Sequence, residues 1–247
     1  MDVKFGVALA LACFGAHANA NDIAGVKLGM TIAQARSAFS VPAGMKTIPV
    51  KTDNMESGFA GWKGKKDYSS SIGQGPADEI LVFKGKADTV WYVERVQRLT
   101  ENEGYAKEVL IESLRKKFGK ESYSNIDGFV SMMAWEYDQS GKQYLGNPFA
   151  TPNPCKYSFE LGNLSRDRYL PEPMGITGAV NEFTRSCKLA TYANWVLGGN
   201  GLVNGLRLVM IDSGAIVRML EGQKAQEDAE NQKKLQQQLN KGIKPSL

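Results

Sequence analysis

Histidine is nearly absent. The chain of 247 residues has one, His17, and it lies inside an N-terminal stretch that reads as a removable export signal. Without it the rest of the chain cannot build a Ser-His-Asp or Cys-His nucleophile system, nor the usual zinc sites. Cysteine is scarce too, three in all, with Cys13 in the same stretch. The remaining pair, Cys155 and Cys187, cannot ligate an iron–sulfur cluster, and no cofactor or metal is implied anywhere. Beyond the N-terminal stretch, no apolar run is long enough to span a membrane. Charge is nearly balanced, Lys+Arg 30 against Asp+Glu 26, too mildly basic to suggest a nucleic-acid partner. The composition, 43% hydrophobic, 23% charged and 9% aromatic, excludes wholesale disorder, a collagen and a coiled-coil rod.

The N-terminal stretch, residues 1–20, has Lys4 as its basic residue, an uncharged apolar segment from Phe5 to Ala16, and Ala18-Asn19-Ala20 as a small-x-small cleavage pattern. This predicts an exported chain that starts at Asn21, periplasmic or secreted. The residues before Cys13 fit a lipoprotein signal poorly. Cys155 and Cys187 are then the only cysteines of an exported chain, the setting in which two cysteines pair. In the chain-entropy picture such a bridge contributes about 3–4 kcal/mol. Pro148, Pro152, Pro154, Pro171 and Pro173, five of the nine prolines, sit in or beside the closed segment, so the bridge is expected to clip a long irregular loop.

From residue 21 onward the pattern alternates between helix and strand signals. Thr31 and Gln34 form a capping box, ahead of a short helix with Ile32, Ala35, Ala38 and Phe39 on one face. Residues 46–77, rich in Lys, Ser and Gly, read as loop with at most a short strand. Residues 79–84 and 89–97 form a hairpin signal. An amphipathic helix is expected over Glu101 to Phe118, with Tyr105, Val109, Leu110, Leu114 and Phe118 on its apolar face and Gly119 as its cap. In the strand 129–137, Phe129, Met133, Trp135 and Tyr137 share a face and Glu136 and Asp138 point away. A second hairpin, 188–197 and 202–211, turns on Gly198-Gly199-Asn200-Gly201. Asp212 or Ser213 then caps a last helix, apolar at its start and polar from Glu221 to Lys234, a solvated helix or frayed tail. The predicted fold is α+β: helices packed on one face of an antiparallel sheet. It occupies residues 21–213, divisible near residue 100 into helix-plus-sheet modules 21–100 and 101–213, with 214–247 as C-terminal helix and tail.

The stretch GVKLGMTIAQARSAF, with Gly29-Met30-Thr31 at its heart, resembles the mature N-terminus of many bacterial envelope proteins, among them the SmpA/OmlA small outer-membrane lipoprotein family of the barrel-assembly machinery. VERVQRL, KKFGKES, WEYD and the Cys155/Cys187 pair look like uncharacterised periplasmic proteins with the same opening. The resemblance to the lipoprotein family covers some 15–20 residues. It implies a bacterial envelope protein with helices on an antiparallel sheet, similar to the β-lactamase-inhibitor architecture, and transfers no functional residue.

Ser113 and Lys116 match the Ser-x-x-Lys pattern of penicillin-recognising enzymes. The helix is nonetheless explained by its apolar face and basic end, and no Lys-Thr-Gly strand follows. Paired carboxylates could hydrolyse envelope glycans; Glu94, Glu136 and Asp138 are the candidates, though strand alternation turns them to solvent. Two stretches suit binding. Trp62, Lys63, Lys65, Lys66 and Tyr68 interleave aromatic and basic residues that could hold an acidic protein face or anionic envelope component. The clipped loop carries Tyr144, Phe149, Tyr157, Phe159, Arg166, Arg168 and Tyr169, with the Tyr and Arg that interfaces favour. The reading that follows is a non-enzymatic envelope protein that binds a protein partner. The alternatives are a small envelope hydrolase using carboxylates and a periplasmic inhibitor or immunity protein. Thiol labelling of the exported protein, denatured but unreduced, should find no free cysteine; labelling at both Cys155 and Cys187 would refute the bridge.

Overall fold

The computed structural model describes residues 22–39, 46–52, 55–63, 68–70, 73–85, 88–100, 102–128, 130–156 and 185–241; residues 1–20, expected to be an export signal, lie outside them. A two-residue ladder of β1 (Asp22–Ile23) and β2 (Val26–Lys27) leads into helix α1 (Ile32–Ala38). The capping box is complete: the Gln34 amide donates to Thr31 Oγ1 at 3.2 Å and the Thr31 amide to Gln34 Oε1 at 3.0 Å. Strands β3 (Lys46–Thr52), β4 (Met55–Lys63), β7 (Asp78–Lys84) and β8 (Val90–Arg98) then form an antiparallel meander. A small hairpin of β5 (Tyr68–Ser70) and β6 (Gly73–Gly75) is inserted between β4 and β7. The second half repeats the scheme. Helix α2 (Lys107–Phe118) precedes the meander β9 (Tyr123–Asn125), β10 (Val130–Asp138), β11 (Cys187–Leu197) and β12 (Val203–Asp212).

The two meanders share one sheet. β8 pairs antiparallel with β12, so the eight strands run β3-β4-β7-β8-β12-β11-β10-β9. This order reads the same from either end: helix and meander, joined last strand to last strand. On one face, Ile32, Ala35 and Phe39 of α1 and Leu110, Ile111, Leu114 and Phe118 of α2 form a core with Phe59, Val82, Val93, Met133, Trp135, Trp195 and Met210. Trp135 pins the end of α2, its ring 5.2 Å from Phe118 and its indole N–H donating to the Gly119 carbonyl at 2.9 Å.

The structure confirms an α+β antiparallel fold and both expected hairpins, and corrects the sequence reading in several places. Residues 46–77 hold four strands. The glycines that read as loop are sites of close approach. A Cβ on Gly58 would stand 1.9 Å from the Val82 carbonyl oxygen, and one on Gly61 would touch Phe39 and Ile80. α2 begins at Lys107 because Tyr105 is held extended, exchanging both backbone hydrogen bonds with Val203 at 3.0 and 2.8 Å. Tyr105 is therefore exposed, and Val109, on the solvent side of α2, is exposed as well; neither belongs to the core. Ser113 and Lys116 lie on the solvent face of α2. Phe129 lies outside the described residues.

The last helix, α3 (Ser213–Lys241), is continuous over 29 residues. It opens where the Ala215 amide donates to Asp212 Oδ1 at 2.7 Å. Its first turn packs on the face opposite α1 and α2, burying Ile216 against Phe83, Trp91, Tyr92 and Ile211. The helices thus do not all share one face.

Gly58→Ala should push β4 off β7, because backbone rather than a flexible side chain blocks the methyl. We expect a loss of about 3 kcal/mol by urea denaturation; an unchanged midpoint would refute the close-approach explanation.

Candidate functional site

Residues paired across neighbouring strands stand on the same side of the sheet. The register therefore defines rows on the second face, away from α1 and α2. One row is Glu136, Ala190, Ile211, Tyr92 and Phe83; the next is Ala134, Tyr192, Val209, Glu94, Leu81, Ala60 and Ile48; the third is Met132, Asn194, Arg207, Val96, Glu79 and Trp62. Glu94 and Glu136 are both 0% exposed. Alternation assigned them correctly to the face away from α1 and α2, but that face is covered at its centre and is not solvent.

Each buried carboxylate has its own partners. Glu94 accepts from Arg207 Nε at 2.6 Å and from the Tyr92 hydroxyl at 2.9 Å. Glu136 accepts from the Tyr192 hydroxyl at 2.7 Å and from Asn153 Nδ2 at 3.0 Å. Asn153 also donates to the Pro148 carbonyl at 2.9 Å and accepts from the Cys155 amide at 2.7 Å. The Cys155–Cys187 disulfide, S–S 2.07 Å, closes beside it. Glu136 is thus the point where the sheet holds the run that leads from β10 to the disulfide. A further buried pair, Arg98 and Glu79 at 2.9 Å, lies where β6 meets the sheet, with Gly75 against the guanidinium.

Burial pushes the Glu136 carboxyl above its ordinary range, against the opposing hydrogen bonds from Tyr192 and Asn153. Tyr192 is pushed well above the usual tyrosine range, first by burial and then by the charge of Glu136. Asp138 behaves oppositely: the Ser140 hydroxyl and the amides of Ser140 and Lys142 hold its carboxyl low. Glu94 on β8 and Glu136 on β10 are three strand spacings apart, about 14 Å between backbones. Their headgroups are turned to different partners and shut from solvent. Buried with these partners, Glu94 braces the seam between β8 and β12 and Glu136 braces the run that leads to the disulfide.

The expected binding residues divide. Trp62 is half-buried on the second face and Lys63 is exposed at the end of β4. Tyr68 opens β5, and Lys65 and Lys66 lie outside the described residues. The register sets Trp62 in a group with Ile48, Ala60 and Leu81, which sequence reading missed. Ile48 is 49% exposed, and Ala60 and Leu81 are half-buried. In the clipped segment, Tyr144 is half-buried and donates to the Pro152 carbonyl at 3.1 Å, while Phe149 is 55% exposed. Tyr157, Phe159, Arg166, Arg168 and Tyr169 lie outside the described residues. Leu145, 70% exposed, was also missed; its signal was an apolar residue in a turn-rich run with no periodic partner. Among the described residues no cluster of His, Cys, Asp or Glu could hold a metal ion, and no helix is long and apolar enough to cross a membrane. Comparison with protein-family models, curated proteins and solved structures finds no match.

The folded state holds a proton on Glu136 to higher pH than the unfolded chain does. Its contribution to stability is therefore full below the ordinary glutamate range and is lost as pH rises through the raised folded value. Glu136→Gln is permanently neutral and can satisfy the same partners, with its amide donating to the Tyr192 oxygen. Urea denaturation across pH 4–8 should show a flatter stability profile for this variant than for the wild type; parallel profiles would refute the assignment.

Proposed function

We propose that this is a non-enzymatic protein of the bacterial cell envelope that binds another protein through the open end of its second sheet face. The observation that carries the reading is the gradient of exposure along that face. Over β8, β12, β11 and β10 it is sealed, whereas over β3, β4 and β7 Ile48, Trp62, Ala60 and Leu81 stand partly in water. A tryptophan flanked by aliphatic side chains on a rigid sheet is the kind of anchor that dominates protein interfaces. Lys63 lies at its rim. Edge-to-edge strand addition is less suited to this site, because β3 carries Pro49, which lacks an amide N–H, and the exposed Lys51.

The envelope assignment rests on the export-signal pattern, on a disulfide of the kind that persists in oxidising compartments, and on the Gly29-Met30-Thr31 resemblance. An inhibitor or immunity protein is one form of the same reading and differs in the identity of the partner. The hydrolase reading has one observation in its favour, a desolvated Glu136 on the same face as Glu94; against it stand their burial and their separate partners.

A photo-crosslinking residue placed at Trp62 should capture a recurrent partner in the native envelope, and Ile48→Asp should abolish the capture. The same probe at Val109, exposed on α2, should capture nothing above background. Equal capture from both positions would refute the surface. Turnover of envelope glycans by the purified protein would replace binding with the hydrolase reading.

A further inference from the structure

A second surface lies at the other end of the sheet, where β10 ends and β11 begins. The chain leaves β10 in a tight turn: the Asp138 amide donates to the Lys142 carbonyl at 2.9 Å and the Gly141 amide to the Asp138 carbonyl at 2.8 Å. The run that follows is held at several points. Tyr144 donates to Pro152, the Phe149 amide donates to Asn147 Oδ1 at 2.9 Å, Asn153 is fastened to Glu136, and the disulfide closes beside it. On this fixed frame Leu145 and Phe149 are 70% and 55% exposed.

Among the described residues this end carries the ion-paired Arg115 and Arg185 and four further cations, all lysines. Lys142 is in the turn. The Lys188 ammonium lies 3.8 Å from where a Cβ on Gly141 would stand. The Lys120 carbonyl accepts from Gln143 Nε2 at 2.8 Å. Lys156 follows Cys155 directly. None of these four has an ion-pair partner among the described residues. Among the described residues, the nearby acids include Glu121, paired with Arg115, Glu221, paired with Arg185, and Asp138, which keeps its charge in the turn beside Lys142.

We propose that this end of the molecule docks on an anionic lipid bilayer, with Leu145 and Phe149 entering the headgroup boundary and Lys120, Lys142, Lys156 and Lys188 drawing it to the surface. The charge of the patch is complementary to acidic headgroups, and each lysine near such a surface adds to the attraction. Protein interfaces are depleted in lysine, and the four cations here without an ion-pair partner among the described residues are all lysines, which favours lipid over a protein face. One apolar anchor alone binds a membrane marginally, and the second signal comes from the charge. The contact proposed is peripheral, made by these surface side chains.

The test is co-sedimentation of the purified protein with vesicles of phosphatidylcholine containing about one-third phosphatidylglycerol, and with pure phosphatidylcholine vesicles. Binding is expected to the first and not the second, and it should weaken as salt rises. Leu145→Ser with Phe149→Ser, and separately Lys142→Glu with Lys188→Glu, should each weaken binding by about tenfold or more. Leu235→Ser with Leu239→Ser, which alters two equally exposed leucines on α3, should leave binding unchanged. All variants are to be compared at matched circular dichroism and melting temperature. Equal binding to both vesicle types, no binding to either, or loop variants that bind like the wild type would overturn the proposal. Loss of the Trp62 crosslink with vesicle binding retained would refute only the protein-partner reading.

Discussion

The seam between β8 and β12 is the constraint on which the sheet depends. Neither meander contains it, and without it there are two four-stranded sheets, each with an open edge. Glu94 and Arg207 meet diagonally across that seam, buried and 2.6 Å apart. Removing two charges from water costs several kcal/mol per ion, and their attraction recovers much of this only in good geometry. Such a pair adds little net stability, but it discriminates between registers. A one-residue slip between β8 and β12 would turn the apolar side chains to the wrong face, so the hydrophobic pattern forbids it. A slip of two residues keeps every side chain on its proper face, and burial alone hardly penalises it. Of the two such slips, one would set Arg207 opposite Arg98 and part it from Glu94, burying charges unpaired, while the other would set it directly opposite Glu94; the pair therefore selects against the first.

The same face uses its other carboxylate differently. Glu136 has no cation beside it among the described residues and is held by a phenol and an amide. Its role is to receive Asn153, and through Asn153 the clipped segment. The run 139–155 thus has two fasteners of different chemistry, the disulfide at its end, covalent and sensitive to reductant, and the Asn153 tie, polar and sensitive to pH. A loop without regular hydrogen-bonded structure keeps one conformation only when such ties offset its chain entropy. That rigidity lets exposed leucine and phenylalanine side chains bind without a further ordering cost.

Much of this architecture was legible in the sequence. The capping box at Thr31, the Gly-Gly-Asn-Gly turn, the Gly119 cap and the disulfide each have a local cause, and local causes are written in adjacent residues. What escaped was non-local. Gly58 and Gly61 look like loop glycines until Val82 and Phe39 are known to lie against them. Tyr105 fits the helical period of α2, but a bridge to Val203, distant in sequence, holds it extended. For Glu94 and Glu136, alternation tells which face a residue takes, and it cannot tell that both faces of the sheet are covered. Half of the Trp62 surface was missed for the same reason: Ile48 and Leu81 reach it only through strand pairing.

The palindromic strand order has one more consequence. Two separate chains, each a helix followed by a four-strand meander, would meet about a two-fold axis through their last strands in this way. Such an assembly would come apart on dilution, since its stability depends on protomer concentration. Here residues 99–106 connect β8 to α2, so the encounter is intramolecular and occurs at a high effective concentration. The short connection makes an association between partners a property of one chain, independent of how little of it is present.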